Sequence, residues 1–281
     1  MAPVYDVHQH LWPPALIDAL RARTRPPRLR GDTLELPSGR WALDVTTHDP
    51  EARLAALDRD GVDVAVLSCP PTLELDEQLV DVYHAAIADV VAGSGGRFLA
   101  LACGAVLDGF AGTCVAARTV VDLDRAAPLL SELERRGGIL FVHPGPERCR
   151  RGAPAWWPAV VGYTAQMQAA YAAWIAYGAA RWPNLRVVFA ILAGGAPIQL
   201  ERLASRGLDT RAVLHRNAFL DTASYGERAL SLALSTYGVG QLVYGSDWPV
   251  IDAAPTLRAV RGFGQAVVDA VCSDTPARVL G

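Results

Sequence analysis

Short runs of apolar residues recur along the chain and alternate with longer amphipathic stretches. Short apolar runs bounded by turn residues are typical of buried strands, and apolar positions spaced three or four residues apart are typical of helices. We interpret eight runs as strands: Val4–His8, Val62–Cys69, Phe98–Val106, Gly112–Ala117, Gly138–His143, Leu185–Leu192, Ala218–Thr222 and Gln241–Tyr244. We interpret seven stretches as helices: Glu51–Asp60, Leu79–Ala92, Ala126–Arg136, Tyr163–Ala180, Pro197–Ser205, Gly226–Ser235 and Ala254–Ala270.

The alternation of strands and helices predicts parallel strand connections and an α/β fold. An open doubly wound sheet would usually carry a glycine-rich phosphate turn after an early strand, and none follows the first strand here. We therefore predict a (β/α)8 TIM barrel with its functional site at the C-terminal face, formed by residues 1–281 as a single domain. The open sheet remains the alternative.

One segment, about residues 21–47, lies between the first strand and its helix and is rich in Pro, Gly and Arg. We expect it to be irregular. In a barrel it would lie over the C-terminal face, where it would act as a lid or as a wall of the substrate cavity. A solvated insertion without such a role is the alternative.

Composition narrows the class of protein. The formal net charge is −3, and no basic stripe appears, so we expect no nucleic-acid partner. No apolar stretch is long enough to span a membrane, and no secretion signal is visible. Five cysteines without Cys-x-x-Cys spacing indicate reduced thiols and a cytoplasmic protein. We expect a small-molecule substrate, and a homodimer is left open.

Polar residues that can bind metal end three of the predicted strands. His8 and His10 share one face of the first strand, because successive side chains alternate. His143 ends a later apolar run, and Asp247 ends the last one. Strand ends converge in a barrel, so the sequence predicts one divalent metal held by His8, His10, His143 and Asp247, with room for a bound water. Taken singly, His143 could be a strand cap and Asp247 a turn residue.

Seven stretches occur in a fixed order along nearly the whole chain: YDVHQHLWPPAL, RLAALDRDGVDVAVLSCPP, ILFVHPG, PNLRVVFAILAGGAP, FLDTAS, VYGSDWPV and TPARVLG. Together, and in this order, they resemble the amidohydrolase-related family of the metal-dependent hydrolase superfamily. The branch that they resemble contains nonoxidative decarboxylases. The resemblance implies a (β/α)8 barrel with the same four residues as ligands. Zinc is the ion that we favour, with manganese as the alternative.

The chain departs from the family pattern after the sixth predicted strand. Where relatives carry an acid/base histidine, this sequence has Ile191. Isoleucine can neither donate nor accept a proton. His48, at the end of the segment 21–47, is the replacement that we consider, although a helix-capping role is the simpler interpretation. Tyr225 is a second candidate, whereas we expect His84 and His215 to lie outside the site.

Substrate contacts are predicted from charge and ring size. Arg148 and Arg151 follow His143 in the same loop, and a guanidinium suits a substrate carboxylate. Trp12 and Trp248 could wall a ring-shaped substrate. The alternatives are surface solvation for the arginines and core packing for the tryptophans.

The function that we predict first is hydrolysis by a metal-bound water, with Asp247 and His143 as catalytic groups and His48 as a third candidate. A nonoxidative decarboxylase of an aromatic or unsaturated carboxylic acid is the first alternative. A catalytically silent barrel that binds a ligand or partner is the second.

Overall fold

Eight parallel strands form one closed sheet, and a separate three-stranded antiparallel sheet follows the first helix. The structure, a computed structural model, describes residues 2–148, 152–209, 214 and 217–281. In chain order, the strands are β1 (Tyr5–His10), β2 (Arg28–Arg30), β3 (Thr33–Leu36), β4 (Gly39–Ala42), β5 (Val64–Ser68), β6 (Phe98–Cys103), β7 (Gly112–Ala116), β8 (Ile139–His143), β9 (Arg186–Phe189), β10 (Ala218–Asp221) and β11 (Leu242–Val243).

Helices separate most of the parallel strands. They are α1 (Pro14–Ala22), α2 (Pro50–Asp60), α3 (Glu77–Gly93), α4 (Ala117–Val121), α5 (Leu123–Arg136), α6 (Tyr163–Ala173), α7 (Ala179–Arg181), α8 (Ile191–Ala204), α9 (Glu227–Tyr237), α10 (Ala254–Gly262), α11 (Gln265–Asp269) and α12 (Thr275–Leu280). Aspartates begin three of them: the side chains of Asp49, Asp76 and Asp122 accept backbone N–H groups in the first turns of α2, α3 and α5.

The large sheet has the order β1-β5-β6-β7-β8-β9-β10-β11 and closes between its two ends. The N–H of Val7 donates to the carbonyl of Tyr244 at 2.9 Å, and the N–H of His10 donates to the carbonyl of Trp248 at 2.7 Å. This closure excludes the open doubly wound sheet and confirms the barrel. The strands are buried on both faces, as parallel sheets are; every residue of β8 is buried.

The segment that we expected to be irregular contains regular structure. Strands β2, β3 and β4 pair in register, with Arg28 opposite Glu35 and Leu34 opposite Trp41. Burial alternates along β3, so that Leu34 and Leu36 face inward. The prediction of irregular structure is therefore wrong. Strands of three or four residues between Pro, Gly and Arg carry too little periodicity to be recognised.

The sequence analysis also did not predict helix α1. Its first turn begins at Pro14, where proline is tolerated because the N–H groups of a first turn have no partner within the helix. Leu16, Ile17 and Leu20 are buried and bind the helix to the barrel. Among the described residues, no helix is both long and apolar enough to cross a membrane.

Candidate metal centre and cavity

Four side chains meet at the C-terminal ends of β1, β8 and β11. One ligand atom from each of His8, His10, His143 and Asp247 lies within 4.8 Å of the other three, and all four residues are buried. The Nε2 atoms of His8 and His10 are 3.2 Å apart. Asp247 Oδ1 lies 3.1 Å from His10 Nε2 and 3.4 Å from His8 Nε2. The structure therefore brings together the four residues that the sequence predicted as ligands.

The second ring nitrogen of each histidine has its own acceptor. His8 Nδ1 lies 2.6 Å from Asp221 Oδ2, His10 Nδ1 lies 3.1 Å from the carbonyl of Ser68, and His143 Nδ1 lies 2.9 Å from the carbonyl of Pro144. These acceptors favour the tautomer with the proton on Nδ1, so that the Nε2 lone pairs point to a common centre. Histidines that ligate metals are held in this way.

Asp247 completes the set of donor atoms. Its backbone has φ +62°, and its N–H donates to the carbonyl of His8 at 2.8 Å, which anchors the residue to β1. Its Oδ1 is buried and has no hydrogen-bond partner among the described residues. An unpartnered buried carboxylate oxygen is costly, and a cation would satisfy it. The donor set of three imidazoles and one carboxylate thus fits a divalent metal.

A close approach of two strands is needed behind this cluster. Gly245 follows β11, and a Cβ there would lie 2.8 Å from the Cβ of His8 and 3.1 Å from Asp221 Oδ2. Any larger residue at 245 would push His8 or Asp221 aside. Glycine at this position keeps the ligand of β1 and its carboxylate partner in place.

Asp221 is the functional residue that the sequence analysis missed. It ends β10 and is fully buried. Its Oδ2 holds His8, and its Oδ1 accepts the N–H of Ile191 at 2.7 Å and that of Ala223 at 3.1 Å. The signal was available, since Asp221 lies in the stretch FLDTAS at a strand end. Only its distance from the predicted ligands in sequence concealed the contact.

A second buried network supports β1 from behind. Arg53 of α2 is 1% exposed and donates to Gln9 Oε1 at 2.9 Å, to the carbonyl of His10 at 3.0 Å and to the carbonyl of Thr47 at 2.8 Å. Gln9 in turn donates to Asp6 Oδ2 at 2.8 Å. The network fixes the backbone that carries the two first-strand histidines.

Charges in the cluster favour a positive centre. Burial lowers the pKa of His8, but the carboxylates of Asp221 and Asp247 outweigh this effect and raise that pKa to about 9. Burial lowers the pKa of His143 to about 3 and also lowers that of His10. Asp247 has a lowered pKa because the three imidazoles offset its burial. A proton on His8 Nε2 would take the place of a cation, because the Nε2 lone pair is the one that points to the centre of the cluster.

A cavity of about 350 Å³ adjoins the cluster. His10 forms part of its wall, and 13% of the Asp247 side chain is exposed, compared with 0–1% for His8 and His10. The antiparallel sheet contributes Leu34, Leu36 and Trp41, and further apolar residues are Trp12, Leu43, Leu73 and Val250. The arrangement suits a small, largely apolar molecule with one polar end near the four residues.

One predicted contact residue, Trp12, and the predicted catalytic candidate His48 lie in this cavity. Trp12 is 6% exposed and stacks on His48, with ring centroids 4.3 Å apart. His48 Nδ1 accepts the N–H of Trp12 at 3.1 Å, and its Nε2 has no partner among the described residues. Burial lowers the pKa of His48 to about 3, so the ring is neutral.

Two other predicted contact residues, Trp248 and Arg148, lie elsewhere. Trp248 is not part of the cavity wall; it lines a separate small cavity with Arg53 and Ala253, because the chain turns at Asp247 and sends the next side chain away. Arg148 is exposed and does not line the cavity. Arg151 lies outside the described residues.

Of the remaining histidines, His84 lies away from the four-residue cluster, as expected. Its Nε2 accepts the N–H of Cys103 at 2.8 Å. His215 lies outside the described residues. Tyr225 is not among the residues that line the cavity.

The family model described as "Amidohydrolase" matches residues 5–281, so the chain belongs to the amidohydrolase family. A 2-amino-3-carboxymuconate-6-semialdehyde decarboxylase from Dictyostelium discoideum is 27% identical over 250 residues, covering 74% of this chain and 68% of that protein.

Solved structures share the fold at lower identity. The apo IDCase of Metarhizium anisopliae has a TM-score of 0.83 and 20% identity, and the match covers 99% of this chain and 97% of that chain. A dihydroxybenzoic acid decarboxylase from Polaromonas sp. JS666, with bound manganese and the inhibitor 2-nitroresorcinol, has a TM-score of 0.69 and 14% identity, covering 100% and 97%. The barrel is thus shared over the full length of these chains.

Proposed function

We propose that this chain is a metal-dependent nonoxidative decarboxylase of a small aromatic or unsaturated carboxylic acid. The observation that carries the proposal is the convergence of three Nδ1-anchored imidazoles and Asp247 beside an apolar cavity. Hydrolysis was the function that the sequence analysis placed first. The relatives favour decarboxylation instead, since both the curated relative and the Polaromonas protein are named as decarboxylases.

His8, His10, His143 and Asp247 are the proposed ligands of one divalent ion. The choice between zinc and manganese stays open, and the manganese in the Polaromonas protein makes manganese the first ion to test. A cation at this point would supply positive charge that orients the substrate's oxygen atoms and stabilises negative charge as a carbon–carbon bond breaks.

The chain's own residues would bind the substrate and move a proton. The apolar walls, including Leu34, Leu36 and Trp12, would hold the carbon skeleton and exclude water. As the bond to the carboxylate breaks, carbon dioxide leaves and the electron pair stays on the carbon. That carbon must then gain one proton. We propose that Asp247, which lies 3.1 Å from His10 of the cavity wall and has a side chain that is 13% exposed, relays this proton from solvent to the carbon. Its pKa is lowered, so the carboxylate is ionised before it takes the proton up and is ionised again once the carbon has received it.

His48 is a weaker candidate for a catalytic role. Its Nδ1 accepts the N–H of Trp12, so the neutral ring carries its proton on the unpartnered Nε2, which could donate a hydrogen bond to a substrate oxygen. The sheet β2–β4 would serve as a wall of the cavity within a single domain. We place Ile191 outside the proton path, since the residue has no polar group and does not line the cavity.

A carbon dioxide assay tests the proposal. Metal-stripped protein reloaded with manganese or zinc would be given a panel of aromatic and unsaturated carboxylic acids, alongside a panel of amides and esters. We expect metal-dependent release of carbon dioxide from at least one acid. The variant with both His8→Ala and His10→Ala should lose it, and the control His84→Gln should keep it. Turnover of amides or esters without release of carbon dioxide would contradict the proposal and support hydrolysis, the function that the sequence analysis placed first. Metal binding without any turnover would favour the silent barrel.

A further inference from the structure

We infer that Tyr163 and Glu147 form a donor–acceptor pair that selects a substrate bearing a hydroxyl group and disfavours one bearing a second carboxylate. The inference rests on the proposed function, because it concerns the same cavity. Both residues line that cavity together with His10 of the metal cluster. Neither residue was singled out by the sequence.

Tyr163 is the first residue of α6 and follows a π-helical turn, Pro158–Gly162. Its side chain is half-buried in the cavity wall, and its hydroxyl makes no hydrogen bond with the described residues. Burial raises the pKa of Tyr163, and the carboxylates of Asp247 and Glu147 raise it further. The phenol therefore stays protonated and offers an O–H donor to whatever occupies the cavity.

Glu147 is held beside Tyr163 by two contacts. Gln166 donates to Glu147 Oε2 at 2.9 Å while its own Oε1 accepts the N–H of Gly145 at 2.7 Å. The side chain of Glu147 also lies against the backbone of Gly162, where a Cβ would come 2.3 Å from Glu147 Cγ. Glycine at 162 therefore permits this position. Gln166 uses only one of the carboxylate oxygens, so the other can accept a substrate hydroxyl.

The charges of the cavity wall limit what the substrate can carry. Within the part of the chain that the structure describes, the lining includes Glu147 and Asp44 but neither lysine nor arginine. One substrate carboxylate can be directed to the metal centre. Among the described residues of the lining, a second would face the carboxylates of Glu147 and Asp44 with no lysine or arginine beside them, which is costly away from bulk water. A neutral hydroxyl could accept from Tyr163 and donate to Glu147.

The pair predicts a specific form of selectivity. A hydroxyl-bearing acid gains two hydrogen bonds, one of them to a charged group, and its deoxy analogue leaves both protein groups unpaired. Bonds of this kind correspond to about tenfold to hundredfold preference. Removing either protein partner should reduce the preference for the hydroxyl and leave the deoxy substrate nearly unaffected.

The test is a cycle of protein and substrate changes. Wild type, Tyr163→Phe and Glu147→Gln would each be given matched aromatic acids with a hydroxyl, with hydrogen and with a second carboxylate at the same position. kcat and KM would be measured for each acid. Binding of 2-nitroresorcinol and of nitrobenzene would be followed separately by absorbance. We expect the variants to lose about tenfold or more of the hydroxyl preference in kcat/KM and in binding.

Two further variants separate recognition from folding. Gly162→Ala should displace Glu147 and reproduce the loss of preference without removing a polar group. Tyr177→Phe, at a residue that is 67% exposed, should change nothing. An equal loss for hydroxyl and deoxy ligands would show a structural role and overturn the inference. So would an unchanged preference, or a wild type that prefers the dicarboxylate.

Failure of the proposed function would give a different pattern. Suppose that no acid released carbon dioxide, but wild type bound 2-nitroresorcinol more tightly than nitrobenzene and the variants did not. This result would contradict decarboxylation and support the role of Tyr163 and Glu147 in recognition. If carbon dioxide were released and the variants matched wild type in both assays, the result would contradict the recognition role of Tyr163 and Glu147 and leave decarboxylation supported.

Discussion

Asp221 determines how His8 presents its lone pair. The contact of 2.6 Å between Asp221 Oδ2 and His8 Nδ1 fixes the tautomer, while Asp221 Oδ1 ties down the turn at Ile191. Ile191 has φ +48°, an unusual backbone conformation for a β-branched residue, and the hydrogen bond from its N–H helps to hold it. A single carboxylate therefore organises two strand ends.

We predict that Asp221→Asn weakens metal binding by about 10- to 100-fold, the usual effect of losing the partner of a ligating histidine. The amide of asparagine can present an N–H group to His8 Nδ1. The proton of the ring is then no longer held on Nδ1, and the Nε2 lone pair is no longer kept free for the metal. The measurement is metal affinity from competition with a chelator. Asp89→Asn, at an exposed position on α3, is the control and should bind as wild type. Equal affinities for Asp221→Asn and wild type would remove the proposed role of Asp221.

His48 gives a prediction for pH. Its pKa is lowered to about 3 in the folded protein from an ordinary value of 6.5, chiefly by burial. The unfolded chain therefore takes up the proton first as the pH falls. The stability due to the neutral ring is complete above about pH 7 and is lost between pH 6.5 and 3, by up to about 1.4 kcal/mol per pH unit.

Replacing His48 by glutamine tests this contribution, because the amide oxygen can still accept the N–H of Trp12. We expect the free energy of unfolding of His48→Gln to fall less steeply than that of wild type between pH 6.5 and 5. Urea unfolding at both pH values measures the difference. Parallel slopes for the two proteins would mean that His48 is not buried as a neutral ring.

At the scale of elements, Arg53 connects α2 to β1 and to the end of the segment that carries the small sheet. One guanidinium satisfies three acceptors, on Gln9, His10 and Thr47. A lysine ammonium lacks the planar fork and cannot reach all three in this geometry.

We predict that Arg53→Lys lowers the free energy of unfolding by about 3 kcal/mol, since buried acceptors lose bonds to a charged donor. Urea unfolding measures it. Arg59→Lys on the same helix, with a side chain that is 67% exposed, should change stability by less than about 0.5 kcal/mol. A similar small effect at Arg53 would show that the network does not stabilise the fold.

The sequence predicted the barrel strands well because their apolar runs are continuous and flanked by turns. All eight runs correspond to strands of the large sheet, with ends that shift by a few residues; Phe98–Val106, for example, ends at Cys103 in β6. The small sheet was missed because its register depends on packing over the cavity. Leu34 and Leu36 line the cavity, and this role can be recognised only when the position of the barrel beneath them is known.

At the scale of the molecule, barrel closure assembles the site. The four proposed ligands come from three strand ends, and the rule that strand ends converge was enough to predict them together. Asp221 ends β10 and so falls under the same rule, but the rule does not say which strand-end side chains contact each other, and the contact of Asp221 with His8 was therefore missed. Trp248 shows the opposite error, since adjacency in sequence to Asp247 did not place it in the cavity.

The most direct test of the account is the position of a bound cation. A crystal grown with manganese would be measured by anomalous diffraction at an energy where manganese scatters strongly. We predict one strong peak within bonding distance of the Nε2 atoms of His8, His10 and His143 and of an Asp247 carboxylate oxygen. The same experiment on the variant carrying His8→Ala and His10→Ala should show none there. A folded wild-type crystal without a peak at this point, or with its only peak elsewhere, would contradict the metal centre on which the proposed function rests.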